Sequence, residues 1–405
     1  SSIKNLNQTL DLNLPGDSTS ADRPLRVLFI SHAYVVGVNQ GKLNEIAATG
    51  KVVVGLLAPS NWRSPEWNRQ LPLERPYPNL HIYSAPVVFS GRGGAHMYAP
   101  WSIVQAINDF KPDLIQIEEE VFSLSTFEVA IWSRISGVPL VVFGWENLER
   151  RLPLARWWTC QFVLNTVKAI VPGNQDGANI MRSWGYQGIL EVMPQMGVDP
   201  DFFSPVPSEI AANPSESRSG DRPFNIGYVG RLARSKGIDL IFAAVHQLRA
   251  QGLNCQITIC GSGGDEQMLR DEADKQQIAE AIVWRGAVRH EAVPAEMAAF
   301  DVLVLPSRTT PDWKEQFGHV SIEAMAMGIP AIGSSSGEIP NVIGRSDLVF
   351  QEEDVDGLAT ILARAISNPE WRQEVSQYGL QRVRQHYTHA RIADRLINLW
   401  HEVLN

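Results

Sequence analysis

From Arg26 onward, hydrophobic positions fall into short β-branched runs separated by longer segments of helical period. The runs are RVLFISH, KVVVGLLAP, NLHIYSAP, PDLIQIEEE, PLVVFGWEN, KAIVPGN and ILEVMPQ. Between several of them lie helix-like stretches, Trp101–Phe110, Ser125–Ile135 and Gln175–Trp184. This alternation predicts parallel βα units and a Rossmann-like layer in the N-terminal half.

The pattern stops over residues 204–223, SPVPSEIAANPSESRSGDRP, which are rich in Ser, Pro and charge and have no apolar period. That composition predicts a linker and places a domain boundary there. The alternation then restarts with FNIGYVG, QITICGSGG, AIVWRGAV, DVLVLPS, IPAIGSSSG and DLVFQEE, with helices expected over Ile238–Arg249, Asp265–Ala279 and Ser321–Met327. A second doubly wound layer follows. The tail from Trp371 predicts two helices, the last with apolar residues at Ile392, Leu396, Leu399 and Val403. The expected division is a flexible arm over 1–23, one Rossmann-like domain over 24–203 and another over 204–386. In open parallel sheets ligands bind beyond the carboxyl ends of the strands, so two such domains would face each other across a cleft.

Composition narrows the function. A length of 405 residues fits two cores of roughly 200 residues each. The chain is 44% hydrophobic with no run near the roughly 18 apolar residues of a membrane span, and residues 1–23 are too polar for a secretory signal. A net charge of −9 disfavours nucleic acid as a partner, because phosphate contacts need a basic footprint. Cys160, Cys255 and Cys260 lack metal-like pairing and predict buried, reduced thiols of a cytoplasmic protein.

Candidate chemistry sits after the strands. In GYVGRLARSKG, Gly230 permits a tight exit and Arg231 and Lys236 approach a helix start, the make-up of an anion site or of two solvated cations beside a turn. In KEQFGHVSIEAMAMGIP, Glu315 precedes Gly318 and Glu323 lies about one turn into the following helix. The backbone N–H groups of Gly318, His319 and Val320 suit a phosphate, and the two carboxylates suit neutral sugar or ribose hydroxyls. Glu323 alone equally fits a residue complementing the helix dipole. GSGGDEQ, from Gly261, lacks the third glycine of a dinucleotide fingerprint, and Asp354-Val355-Asp356 reads as a helix N-cap rather than a metal motif. In the N-terminal half the candidates are His32, Gly37, Asn39 and Lys42 on the first βα loop, Arg92 and His96 on a glycine-rich loop expected to be a mobile lip, Glu118 to Glu120, and Glu146 in GWEN. Arg150, Arg151 and Arg156 beside Trp157 and Trp158 suit either anionic lipid or a domain surface.

Together these segments resemble the retaining glycosyltransferases of family 4, which have the GT-B fold. The E-x7-E pair Glu315 and Glu323, the GYVGRLARSKG loop, DVLVLPS, SGEIPNVIG and VMPQMGVDPDFFSP carry the resemblance. It implies that Arg231 and Lys236 grip the donor diphosphate, that Glu323 holds the ribose, and that Glu315 with Phe317 and Gly318 addresses the sugar. Gly230, Gly261, Val288, His319 and Val320 complete the implied donor site, and no metal or cofactor is expected. Retention would follow from front-face attack, with the leaving phosphate oxygen accepting the acceptor proton. The family's usual glycine pair is replaced by Val36-Gly37-Val38. Its histidine at the sugar-facing strand end is missing from QIEEEVFS, where Glu118, Glu119 or Glu120 would stand instead. The expected partners are a nucleotide-diphosphate-sugar and a carbohydrate or lipid-linked acceptor, with peripheral contact at the inner membrane face and the last helix, about 387–405, crossing back to the N-terminal domain. An epimerase and a non-catalytic nucleotide-sugar-binding protein are the alternatives.

Overall fold

The computed structural model describes residues 23–65, 68–205 and 222–405. The expected arm, apart from Arg23, and most of the expected linker lie outside these residues. Arg23 is tied down, its guanidinium donating to both carboxylate oxygens of Asp113 at 2.9 and 2.6 Å.

Each β-branched run forms a strand. The seven of the N-terminal half make one sheet in the order Ile189–Leu190, Ala169–Pro172, Leu140–Gly144, Leu114–Glu118, Leu25–Ile30, Val52–Pro59 and His81–Ala85. The other six make a second sheet in the order Ile282–Gly286, Cys255–Cys260, Phe224–Val229, Val302–Leu305, Ala331–Ser334 and Val349–Phe350. Every pairing in both sheets is parallel. The register is set by the apolar runs: Val27 to Ile30 pair with Leu114 to Ile117, and all of these but Gln116 are apolar and buried. Helices cover both faces, which is why central strands read as continuous apolar segments. Cys160, Cys255 and Cys260 are buried and free.

Two antiparallel hairpins were not expected, Asn61–Ser64 with Arg69–Pro72 and Val87–Val88 with Met97–Tyr98. Their strands are two to four residues long and half solvated, too short for a periodicity argument.

Helix ends follow local chemistry. The Asn174 side chain accepts from Gly177 N–H at 2.7 Å to start Gln175–Ser183, and Asp354 accepts from Gly357 N–H at 2.9 Å to start Val355–Ser367. Helix Pro369–His386 packs on the second sheet's side of the molecule. The chain then breaks, and Thr388 caps His389–Leu404 by accepting from Arg391 N–H at 3.1 Å. This last helix buries Ile392, Leu396, Leu399 and Trp400 in the core formed by Val27, Phe29, Val54 and Leu56 of the first sheet. The two strands of chain that pass between the domains are clasped: Val198 N–H donates to Tyr387 at 2.8 Å and His389 N–H donates back to Val198 at 3.1 Å.

Trp400 anchors the returning helix. It is fully buried, meets Phe29 edge-on at 5.7 Å and donates from Nε1 to Gln116 at 2.8 Å. Trp400→Ala is expected to destabilise the N-terminal domain by about 3–5 kcal/mol, read as a lower urea midpoint for its unfolding, with Trp400→Phe well below that. An unchanged midpoint for the alanine variant would place the anchor elsewhere.

Candidate functional site

The carboxyl ends of both sheets open onto one cavity of about 1280 Å³, lined from the N-terminal half by His32, Asn39, Trp62 and Trp145 and from the C-terminal half by Glu315 to His319 and Glu323. Phe317 bridges the halves at its floor, 6.0 Å from the Trp145 ring and 5.8 Å from Tyr387.

On the C-terminal wall, strand Phe224–Val229 ends at Gly230, whose N–H donates to Cys260 at 3.0 Å, and Gly261 donates to Gly286 at 2.7 Å. These glycines knit adjacent strand-end loops together. Arg231 is exposed and has no side-chain partner among the described residues. Lys236 closes a short turn before helix Ile238–Ala250, and Gly237 between them has φ 67° with no room for a Cβ, which would lie 2.0 Å from the Pro306 carbonyl. The Lys236 ammonium reaches Glu315 Oε2 at 2.8 Å and sits 4.6 Å from the Trp313 ring centroid. Ser307 donates to the same Glu315 oxygen at 2.8 Å.

Gly318, at φ 80°, is the N-cap of helix His319–Ala326. A side chain there would be strained and would meet Leu305 at 2.6 Å, so the loop carrying Glu315 enters the helix only through glycine. Glu323 lies one turn in, and burial alone pushes its carboxyl up to about 7. His319 is held down to about 4 by burial first, then by His389 and His290. Val320 and Val288 pack against the apolar cluster around Phe317. Glu315 and Glu323, distant in sequence by two helical turns, therefore reach the same cavity from a loop and a helix.

The N-terminal wall is arranged differently from expectation. Glu118 faces inward: it accepts from Lys42 and Tyr34 at 2.5 Å each, from Gln195 at 2.8 Å and from Gln116 at 2.9 Å. A fully buried ammonium must have such a partner, so this glutamate is consumed by Lys42 and is not sugar-facing. Glu120 lies under the backbone of Trp145 and Glu146, accepting from both N–H groups, and burial raises it to about 7. Glu146 pairs with Arg150. Gly37 turns away from the cavity, its N–H donating to Glu74 at 2.5 Å, whereas Asn39 lines the cavity with its amide tied to Ala33 at 2.7 Å.

The loop from Gly91 to Tyr98 is no free lip at its far end. Arg92 is exposed, but His96 is fully buried and Tyr98 N–H donates to Glu128 at 3.0 Å. Arg156 pins the loop by donating to the Gly94 carbonyl at 2.8 Å.

Glu119 is buried behind the cavity wall, against His32, which lines it. It accepts from His32 at 2.6 Å from Nδ1 and 2.9 Å from the backbone N–H, and lies 3.5 Å from His96 Nε2. Burial would raise its carboxyl, but the two histidines outweigh that and hold it at about 2. His32, a candidate on the first βα loop, lines the cavity, whereas Trp62 and Gln195 were missed as site residues. Trp62 comes from an unrecognised hairpin, and Asn147 is the amide that donates across the cleft to the carbonyls of Lys314 and Glu315 at 3.3 and 3.2 Å. His32, His96 and Glu119 are also the one set among the described residues spaced to hold a metal ion, within 4.8 Å of one another.

A pH effect follows from Glu323. Its folded-state pKa is raised, so the native state binds the extra proton between the ordinary value and about 7, and stability falls as pH rises through that window. Glu323→Gln is expected to raise the melting temperature at pH 8, by the equivalent of roughly 1–2 kcal/mol, and to change it little at pH 5. An equal effect at both pH values would refute the assignment.

Similarity to known proteins agrees with this geometry. Residues 209–382 match the family described as "Glycosyl transferases group 1". The chain is 31% identical over 191 residues, 46% of its length and 50% of the relative's, to the GDP-mannose-dependent alpha-(1-6)-phosphatidylinositol monomannoside mannosyltransferase of Mycolicibacterium smegmatis. It is 24% identical to the alpha-D-kanosaminyltransferase of Streptomyces kanamyceticus, over 69% of this chain and 74% of that one. The chain thus spans about half the length of the first of these relatives. Among solved structures, sucrose-phosphate synthase from Thermosynechococcus elongatus superposes with a TM-score of 0.67 at 19% identity, covering 94% of this chain and 99% of that one. Anabaena HepE in complex with UDP does so with 0.69 at 17%, covering 93% and 100%. With its two parallel-sheet domains about one cleft, the chain has the GT-B fold.

Proposed function

We propose that the protein is a glycosyltransferase that moves a sugar from a nucleotide-diphosphate-sugar donor to a carbohydrate or lipid-linked acceptor, with retention of configuration and without a metal ion. The observation that carries this reading is the joint placement of Lys236, Glu315 and Glu323 at one helix-lined wall, with Arg231 on the adjoining loop. Arg231 and Lys236 would neutralise the charge that develops on the leaving diphosphate, the work a divalent cation otherwise does. Glu323 would accept from ribose hydroxyls, and Glu315, with the backbone of Phe317 and Gly318, from the sugar. Gly230, Gly261, Val288, His319 and Val320 would form the remaining donor contacts.

The reading is supported by the relatives named as mannosyltransferases and by HepE, solved with UDP and with UDP-glucose. A lipid-linked acceptor agrees with exposed Trp158 and Leu154 on helix Leu154–Leu164, preceded by Arg150 and Arg151, a make-up suited to peripheral contact with an anionic surface. Among the described residues no helix is long and apolar enough to cross a membrane.

Calorimetric titration with UDP, GDP, ADP and TDP in the absence of metal tests the donor site. One of them is expected to bind, and Lys236→Ala to weaken it by about 10–100-fold, the worth of a charge-assisted hydrogen bond. Binding that Lys236→Ala leaves unchanged would remove that lysine from the site, and no binding by any of the four would overturn the function.

A further inference from the structure

Three side chains of the N-terminal domain converge from segments far apart in sequence. His32 begins the short turn after strand Leu25–Ile30, Glu119 follows strand Leu114–Glu118, and His96 immediately precedes strand Met97–Tyr98 of the second hairpin. Glu119 Oε1 lies 2.6 Å from His32 Nδ1 and 3.5 Å from His96 Nε2, and the three residues offer ligand atoms that all fall within 4.8 Å of one another. The His96 side chain is fully buried, that of Glu119 is 3% exposed, and that of His32 is 30% exposed where it lines the cavity.

We propose that His32, His96 and Glu119 form a binding site for a zinc-type transition-metal ion, which ties the loop over residues 91–98 to the edge of the first sheet. The site shares no residue with the wall that carries Lys236, Glu315 and Glu323, so the ion is an anchor and takes no part in sugar transfer. It is independent of the glycosyltransferase reading.

Hydrogen bonding at His96 is incomplete. Its Nδ1 stands 3.3 Å from the Arg92 carbonyl, which only accepts, so the proton of a neutral ring belongs on Nδ1. That leaves the Nε2 lone pair aimed at a carboxylate oxygen, two acceptors facing each other, and Nε2 is buried without a hydrogen-bond partner. Such a group costs free energy where water cannot reach it. A cation between the two acceptors turns the same contact into an attraction. The Arg92 carbonyl is also the support that a metal-bound imidazole needs, since the second ring nitrogen of such a histidine donates to a carbonyl or carboxylate and so fixes the ring. At His32 the ion takes the place of the Nδ1 proton, which moves by way of solvent to Nε2 and leaves the ring neutral. Trp62 stacks on His32 at 4.4 Å and meets the His96 ring edge-on at 4.9 Å, so one indole steadies both rings.

The ligand set selects the ion. Zinc binds imidazole nitrogen at about 2.0–2.1 Å and carboxylate oxygen at about 2.0–2.2 Å, which in a tetrahedron sets neighbouring ligand atoms about 3.3 Å apart. The separations of 2.6 and 3.5 Å bracket that spacing, so side-chain shifts of about 1 Å admit the ion. Two nitrogens and one oxygen suit zinc, whereas magnesium and calcium take oxygen ligands. The fourth position is left to water, and the ion enters past His32, the one ligand of the three that lines the cavity.

The test titrates zinc chloride into the purified chain, stripped with EDTA and returned to metal-free buffer at neutral pH, alongside His32→Gln, His96→Gln and Glu119→Gln. Calorimetry is expected to give one zinc per chain with a Kd on the order of 1 μM or tighter, without competition from magnesium. Each substitution is expected to weaken it by about 100-fold or more. Zinc is expected to raise the Tm of wild type and to slow tryptic cleavage after the exposed Arg92, with neither effect in the variants. Cobalt(II) in place of zinc is expected to give the visible absorption of a tetrahedral, nitrogen-ligated ion in wild type alone. Folding of each variant is checked by its metal-free Tm, and His32→Gln, which alters the most exposed ligand, decides if the two buried substitutions prevent folding. No zinc uptake by folded wild type overturns the proposal and leaves a proton on His96 Nε2 to bridge the contact. Zinc bound by His32→Gln with undiminished affinity, or displaced by magnesium, overturns it equally. Neither result bears on donor binding, which is measured without metal.

Discussion

A parallel strand cannot turn straight back onto its neighbour; the chain must cross the sheet before the next strand begins, and that constraint organises this molecule. Because every pairing in both sheets is parallel, all loops leaving the strands' carboxyl ends collect at one edge of each sheet. Those two edges face each other, so residues as far apart as His32, Glu315 and Glu323 line one cavity without any loop having to reach for it. The cleft is thus a product of topology, and the clasp of Val198 with Tyr387 and His389 keeps the two edges opposed.

The two walls manage charge in different ways. On the N-terminal side charges are buried and paired within the wall: Lys42 with Glu118, and Glu119 between two histidines. A buried ammonium without its carboxylate would be destabilising by several kcal/mol, so these pairs give the wall one arrangement rather than a set of alternatives. On the C-terminal side Arg231 remains exposed and Lys236 is only partly covered, which leaves positive charge available to a ligand. Contacts between the walls sit around the loop that carries Glu315: Asn147 on the Lys314 and Glu315 carbonyls, Lys314 with Asp176 at 2.9 Å, and Gln175 N–H with Glu338 at 3.0 Å. Movement of one domain is therefore felt directly at the backbone of Glu315.

The strands were legible because a strand buried on both faces must be apolar throughout, and that signal survives without any partner in view. Gly318 was legible for a similar reason, since a helix entered through a left-handed residue leaves a glycine in the sequence, whereas Gly237, which enters its helix the same way, was passed over. The N-terminal wall was not. Glu118, Glu119 and Glu120 are consecutive and chemically identical, yet alternation along the chain end sends one to Lys42, one to His32 and one beneath Trp145. Nothing local distinguishes them, because the partners are supplied by segments 25 to 87 residues away. Trp62 escaped for the same reason, being carried by a hairpin too short to show a period.

The contact between Lys236 and Glu315 raises the question of how a diphosphate could bind beside a carboxylate. Two like charges 4 Å apart repel by about 4 kcal/mol at an effective dielectric of 20, enough to prevent binding if the lysine had to choose one partner. It need not choose. An ammonium carries three donors on a rotatable stem, and here one points to Glu315 while Trp313 shields another side with its ring. The remaining direction is free for a phosphate oxygen, with the lysine standing between the two anions and screening each from the other. Ser307, donating to the same Glu315 oxygen, holds the carboxylate in place. An arginine at this position would present its donors in one plane and could not serve partners on opposite sides, so in the proposed function the lysine's point charge would let Glu315 remain beside a diphosphate and still turn its other oxygen to a sugar.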